Sequence, residues 1–227
     1  MKAKMWKLIC HKIKRRIYNL FAFSGWEYNL KIYDKDFFFS NQKEGLKMAK
    51  WFIPLLYNIF GFRSLIDLGC ATGHYLFYSL KEGVSDILGI EGSPVAFSNL
   101  LVDEKYIVQH DLRRPLILDR KYDIALSIDV AEHIDKKYFD IYLKSVCDSS
   151  DLIIFSAAIP NEGGLYHVNE QSHEWWILRF KKYFFRFNKK MVDLIEQKME
   201  ENAIFGPNIM VFQRIKNNFK VDNNKNN

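Results

Sequence analysis

The stretch Ser-Leu-Ile-Asp-Leu-Gly-Cys-Ala-Thr-Gly at residues 64 to 73 constrains this chain more than any other. Leu65, Ile66 and Leu68 make a short apolar run, Gly69 and Gly73 punctuate it, and from His74 onward Tyr75, Leu76, Tyr78 and Leu80 take helical spacing. The pattern is strand, tight turn, helix. Glycine lets the backbone of such a turn approach a ligand closely, and the helix N-terminus aims N–H groups at whatever lies over the strand end. A nucleotide-like ligand suits that place. The spacing is not the dinucleotide fingerprint, because Gly-x-x-x-Gly with Ala71 inside it lacks the compact turn that a pyrophosphate needs.

Three more apolar runs repeat the theme. Residues 87 to 90 end on Glu91, 22 positions after Gly69, where the second strand of a doubly wound sheet offers an acidic group to a ribose diol. Residues 106 to 108 lead to Gln109-His110-Asp111-Leu112, and residues 122 to 128 lead to Asp129-Val130-Ala131-Glu132-His133-Ile134. All four ends then share one sheet edge, the usual binding edge of this architecture. Further along, strands are predicted at 152 to 157, 185 to 187 and 208 to 215. Helices are predicted at 42 to 60, 95 to 101, 173 or 174 to 184, and 191 to 203. Pro54 is expected to kink the first of these or to end it early.

In these motifs the chain resembles the class I S-adenosylmethionine-dependent methyltransferases. They are Leu-Ile-Asp-Leu-Gly-Cys-Ala-Thr-Gly at 65 to 73, Gly-Ile-Glu-Gly-Ser at 89 to 93, His-Asp-Leu at 110 to 112, and Tyr-Asp-Ile-Ala-Leu-Ser-Ile-Asp-Val-Ala-Glu-His-Ile at 122 to 134. The resemblance covers roughly residues 60 to 215. It implies an α/β fold: a doubly wound, seven-stranded, mostly parallel sheet with an antiparallel last strand and helices on both faces. By the same resemblance Asp67 and Gly69 border the methionine part of the cofactor, Glu91 binds the ribose hydroxyls and Asp111 the adenine amino group. Cys70, Gly73, Gly92, Leu112 and Asp129 complete the expected cofactor set. Ala71 departs from the family, which most often has glycine there.

With 227 residues the chain can bury one substantial core. The expected organisation is an N-terminal helical and aromatic extension over residues 1 to 60, a methyltransferase core at 61 to 216 and a flexible tail at 217 to 227. No run approaches 18 apolar residues and no cleavage pattern follows the Lys-rich start, so the expected location is the cytoplasm. Cys10, Cys70 and Cys147 are far apart with no Cys-x-x-Cys, which argues against a disulfide framework and a cysteine-based zinc site. The net charge of +6 is concentrated toward the termini. Such a distribution can steer an anionic substrate, nucleic acid or a membrane surface, and no RNA-binding module accompanies it. Residues 5 to 23 read as a basic amphipathic helix, packed on the domain or laid on a membrane surface. The aromatics between Phe23 and Phe39 are a candidate lid over the acceptor or simply irregular packing.

The chemistry is expected beside the fourth strand. Asp129, Glu132 and His133 are spaced i, i+3, i+4, so one helical turn can point all three to one side. Oxygen, oxygen and imidazole suit a divalent ion such as Mg²⁺, Mn²⁺ or Fe²⁺. His167, from a second polar cluster with Asn169, Glu170, Gln171 and His173, is the expected fourth ligand. Within the resembled family, the ubiquinone-pathway O-methyltransferases and the small-RNA 3′-terminal 2′-O-methyltransferases carry an acidic-x-x-Glu-His metal motif like this one. The small-RNA enzymes add a histidine downstream of a Pro-Asn pair, to which Pro160-Asn161 followed by His167 is similar. The metal-free alternative makes His133 or His167 a general base.

The functional expectation is an S-adenosylmethionine-dependent methyltransferase, O-methylating a small hydroxyl- or phosphate-bearing metabolite such as a sugar or surface-glycan precursor. Arg113, Arg114, Arg179, Lys181 and Lys182 are candidates for holding a phosphate or for a solvated surface. RNA 2′-O-methylation and a non-catalytic scaffold are the alternatives. A nicotinamide dehydrogenase disagrees with both the glycine spacing and the seventh strand.

Overall fold

A computed structural model describes residues 35–201 and 208–215. The expected helix at 5 to 23, the aromatic segment up to residue 34 and the tail at 217 to 227 lie outside the described residues. The helices are α1 (Lys35–Phe60), α2 (His74–Lys81), α3 (Phe139–Ser149), α4 (His173–Lys181) and α5 (Lys189–Glu201). The strands are β1 (Ser64–Leu68), β2 (Asp86–Glu91), β3 (Ile107–Gln109), β4 (Ile124–Ser127), β5 (Leu152–Phe155), β6 (Phe185–Phe187) and β7 (Met210–Arg214).

Seven strands form one sheet in the order β3-β2-β1-β4-β5-β7-β6. Strands β1 to β5 pair in parallel, while β7 runs antiparallel to both β5 and β6. The order reverses beside β1, which places a crevice between β1 and β4 at the carboxyl ends of the strands. Register keeps those ends level, with Asp67 beside both Gly89 and Leu126, and Glu91 beside Gln109.

Alternation along the strands divides the core in two. Leu65, Ile124, Leu126, Ile154 and Val211 pack with Phe52, Ile53 and Leu56 of α1, Leu76 of α2, and Val192 and Ile195 of α5. Ile66, Leu68, Ala125, Ile153, Phe155 and Phe212 pack on the opposite face with Leu143 and Val146 of α3 and Trp176 and Phe180 of α4. All five residues of β1 are buried, as a central strand covered on both faces requires.

Two local expectations change. Pro54 does not end the first helix, which begins earlier than predicted at Lys35 and continues six residues past the proline to Phe60. Phe52, Ile53 and Leu56 are fully buried on either side of Pro54, so tertiary packing outweighs the lost backbone hydrogen bond. Residues 95 to 101 do not make an α-helix but a four-residue 3-10 turn, Ala96–Asn99. Gln42 of α1 clasps that turn, its Oε1 accepting from the Asn99 side-chain amide and its Nε2 donating to the Asn99 carbonyl.

Candidate active site

The glycine turn after β1 is shaped by what lies against it. Gly69 has φ of +88°, and a Cβ there would lie 2.5 Å from Val130 Cγ2 in the turn after β4. Only glycine meets both demands. Ala71 also takes a left-handed conformation, φ +48°, which costs a residue with a Cβ roughly 1–2 kcal/mol. The compensation is visible: this conformation aims the Ala71 N–H at Glu91 Oε2, 2.9 Å away.

Glu91 is the hub of this half of the site. Its second oxygen accepts from the Ser93 N–H at 2.6 Å, so the carboxylate bridges the turns after β1 and β2. Burial raises its pKa, and the backbone donors of Ser93, Ala71 and Gly92 oppose that rise. Asp67 is 2 % exposed, and its Oδ2 is buried without a hydrogen-bond partner. Burial first, then the Glu91 charge, push its pKa up to about 8. A buried carboxyl with one unsatisfied oxygen fits a ligand bearing a cationic or hydrogen-bond-donating group. Gly73 caps α2 in the left-handed conformation, and Cys70 and Leu112 are buried walls. Gly92 is half-buried, and an added Cβ would touch the His110 carbonyl oxygen at 3.5 Å.

Asp111 stands at the end of β3, where it was expected. Its carboxylate is gripped by the Arg113 guanidinium, with Nε 2.9 Å from Oδ1 and Nη2 2.9 Å from Oδ2. Burial opposes ionisation of Asp111, but the hydrogen bonds and charge of Arg113 prevail and hold its pKa low. Arg113 therefore anchors a carboxylate here rather than a phosphate. Arg179 lies over the Trp175 ring at 4.5 Å and so braces α4.

The second half of the site lies after β4 and β5. Glu132, His133 and His167 each offer a ligand atom within 4.8 Å of the others. A carboxylate oxygen and two imidazole nitrogens are the donor types that would hold a divalent ion there. The helical turn there is 3-10 and spans Ala131–His133, beginning after Asp129, which itself has φ +54°. Asp129 is not among the three groups that approach within 4.8 Å, although its charge acts on Glu132. Its Oδ1 accepts from Ser156 Oγ at 2.6 Å, while its N–H donates to the same oxygen at 2.9 Å.

The three remaining groups have the chemistry of ligands. Glu132 Oε1 accepts from the Ala158 N–H, and Oε2 is buried without a hydrogen-bond partner. Burial, then the Asp129 charge, push its pKa up to about 8, a balance that a bound cation would reverse. Nδ1 of His133 lies 3.3 Å from the Tyr166 carbonyl, which only accepts, so Nδ1 holds the proton and Nε2 the lone pair. Burial, then His167, lower the His133 pKa to about 4, so the ring is neutral near pH 7. Nδ1 of His167 lies 3.3 Å from Glu170 Oε1, and the two imidazoles stand edge to face with centroids 5.1 Å apart.

The loop between β5 and α4 makes this meeting happen. The N–H groups of Val168 and Asn169 both donate to the Glu132 carbonyl, and Asn169, 1 % exposed, donates from its side chain to the Ala131 carbonyl. His173 is not drawn into the cluster; it begins α4 after the Ser172 cap. Sequence reasoning missed the Tyr166 carbonyl, Ser156 and Gly164. A Cβ on Gly164 would lie 2.2 Å from the His167 ring, so a larger residue there would have to push the imidazole aside. A Gly-Gly pair just before a candidate ligand was the available signal. Cys70 and Cys147 are buried free thiols whose pKa burial raises, so neither is a nucleophile.

No protein-family model and no curated protein sequence matches this chain. Solved structures do. An S-adenosylmethionine-dependent methyltransferase from Archaeoglobus fulgidus is 17 % identical, with 79 % of this chain and 98 % of that one covered and a TM-score of 0.55. The methyltransferase domain of bacterial CtHen1 is 19 % identical over 74 % of this chain and 97 % of its own, with a TM-score of 0.54. The sugar N-methyltransferase KedS8 from Streptoalloteichus is 14 % identical over 79 % of this chain and 92 % of its own, with a TM-score of 0.58. The fold is that of the S-adenosylmethionine-dependent methyltransferases.

Proposed function

We propose that this protein is an S-adenosylmethionine-dependent methyltransferase that O-methylates a small hydroxyl- or phosphate-bearing metabolite, such as a sugar or surface-glycan precursor, with help from Mg²⁺ or Mn²⁺. One observation carries the reading: buried, incompletely satisfied carboxyls stand at Asp67 near the end of β1 and at Glu132 in the turn that follows β4, its paired neighbour in the sheet. The first sits in a nucleotide-type turn and the second in a cluster with two imidazoles.

On the cofactor side, Glu91 is the group for the ribose hydroxyls, Asp67 for the methionine end and Asp111, set by Arg113, for the adenine side. The cofactor would supply a methyl group already activated by its sulfonium. Glu132, His133 and His167 would hold the ion, which would lower the pKa of an acceptor hydroxyl. This chain's residues have the remaining tasks. Glu132 offers an unsatisfied oxygen and His133 a lone pair on Nε2, and a cluster so placed orients an acceptor while keeping its proton within reach of a base.

The test is an S-adenosylmethionine titration of metal-stripped protein, repeated with Mg²⁺ and Mn²⁺, followed by mass spectrometry of hydroxyl acceptors for a methyl mass gain. Cofactor binding without metal and metal-dependent product are the expected results. No cofactor binding by folded protein under any condition would leave the scaffold reading in its place. RNA 2′-O-methylation is the second reading, favoured by the position of His167 beside Glu132 and His133, downstream of Pro160-Asn161. Adding short RNA and sugar acceptors to one reaction separates the two.

A further inference from the structure

The loop from Ile159 to Glu170 provides one member of the Glu132, His133, His167 cluster and also the groups behind both histidines. Glu170 is the densest node in it. Oε1 accepts from His167 Nδ1 at 3.3 Å and from the Gly163 N–H at 3.0 Å, and Oε2 accepts from the Asn161 N–H at 3.1 Å. The carboxylate is well buried, its side chain 9 % exposed. Asn161, Gly163 and Tyr166 all have φ between 63° and 72°, unfavourable for the two residues that carry a Cβ, so the loop persists only where its surroundings hold it. Glu170 supplies two of those constraints.

We infer that Glu170 is a positioning residue: one carboxylate fixes His167 with its proton on Nδ1 and its lone pair on Nε2, and gathers the Asn161–Gly163 turn, so that ion binding and loop order are linked. The inference rests on the reading of the cluster as a metal site. A histidine whose far nitrogen is anchored by a carboxylate is the better ligand, because tautomer and ring plane are set before the ion arrives. In the other direction, an ion that holds His167 in place holds Glu170, and Glu170 holds the amides of Asn161 and Gly163. Gly164, seated against the same ring, permits the close packing that this linkage requires.

The experiment compares the full chain with E170Q, both stripped of metal and titrated with Mn²⁺ by electron paramagnetic resonance of the free ion. A glutamine amide nitrogen cannot accept a hydrogen bond, so the variant loses part of the clamp at nearly constant size. Expected is an affinity weaker by roughly 10- to 100-fold in E170Q. Mn²⁺ should slow hydrogen exchange at Asn161 and Gly163 in the wild type and much less in the variant. Nitrogen-15 spectra of the metal-free wild type should place the His167 proton on Nδ1, a readout that survives even where E170Q does not fold. An affinity within twofold of wild type, or a proton on Nε2, overturns the inference and leaves the metal reading standing. Wild-type protein that binds no Mn²⁺ overturns the metal reading and this inference with it.

Discussion

The two halves of the site are built by different means. At the ends of β1 and β2, Glu91 satisfies backbone donors from turns that the strands themselves deliver in register, so position in the sheet is nearly sufficient. At the ends of β4 and β5, Glu132 and His133 depend on a loop returning from far along the chain to bring His167 and the Tyr166 carbonyl. The first half is preorganised by the sheet. The second is assembled by a loop and is the part that a bound ion would complete.

That contrast predicts separable losses. The largest effect is expected from combining Glu132→Gln with His133→Ala, which should weaken Mn²⁺ binding by on the order of 100-fold or more. S-adenosylmethionine affinity should change by less than about threefold, because the cofactor half does not use those groups. Isothermal titration of both ligands checks this, and equal loss of both would break the two-part description. Glu91→Gln should do the reverse. Its amide nitrogen cannot accept from Ala71 or Ser93, so cofactor affinity should fall by about 10- to 100-fold while Mn²⁺ affinity holds.

A smaller effect sharpens the comparison through pH. The Asp67 pKa is raised from its unfolded value near 4 to about 8, so the neutral carboxyl suits the ligand-free fold. Its contribution to stability is present in full below the unfolded pKa and is lost as pH rises through about 8. Glu132, also pushed up to about 8, acts in the same direction. Urea denaturation of ligand-free protein should therefore give lower stability at pH 8 than at pH 5. Asp67→Asn should recover part of the difference, about 1 kcal/mol. A wild-type curve that rises across this window would contradict the assignment of Asp67 as a buried, unsatisfied acid.

Much of this arrangement was legible in local sequence, and the exceptions have a common cause. The run Leu65 to Leu68, the turn from Gly69 to Gly73 and the strand ending on Glu91 were readable because strand periodicity and turn chemistry act over a few residues. The seven-stranded sheet with its antiparallel last strand followed from the resemblance that these motifs carry. Spacing also pointed to Glu132 and His133, but it placed Asp129 with them by assuming an α-helical turn. The left-handed Asp129 and its Ser156 partner, which arrives from the end of β5, could not be read from residues 129 to 133 alone. Pro54 is the same lesson in a helix: a local breaker is overruled by Phe52, Ile53 and Leu56 buried against the sheet.

The sequence by itself determined which side chains stand at the strand ends, because a strand's period and a glycine turn are short-range properties. Only the tertiary structure decided which of those side chains meet. The bond between Asp129 and Ser156 and the junction of Glu132, His133 and His167 behind Glu170 depend on strand ends and a loop brought together from separate parts of the chain, the loop docked by Asn169. Each is fixed by contacts that exist only after the sheet has closed its core.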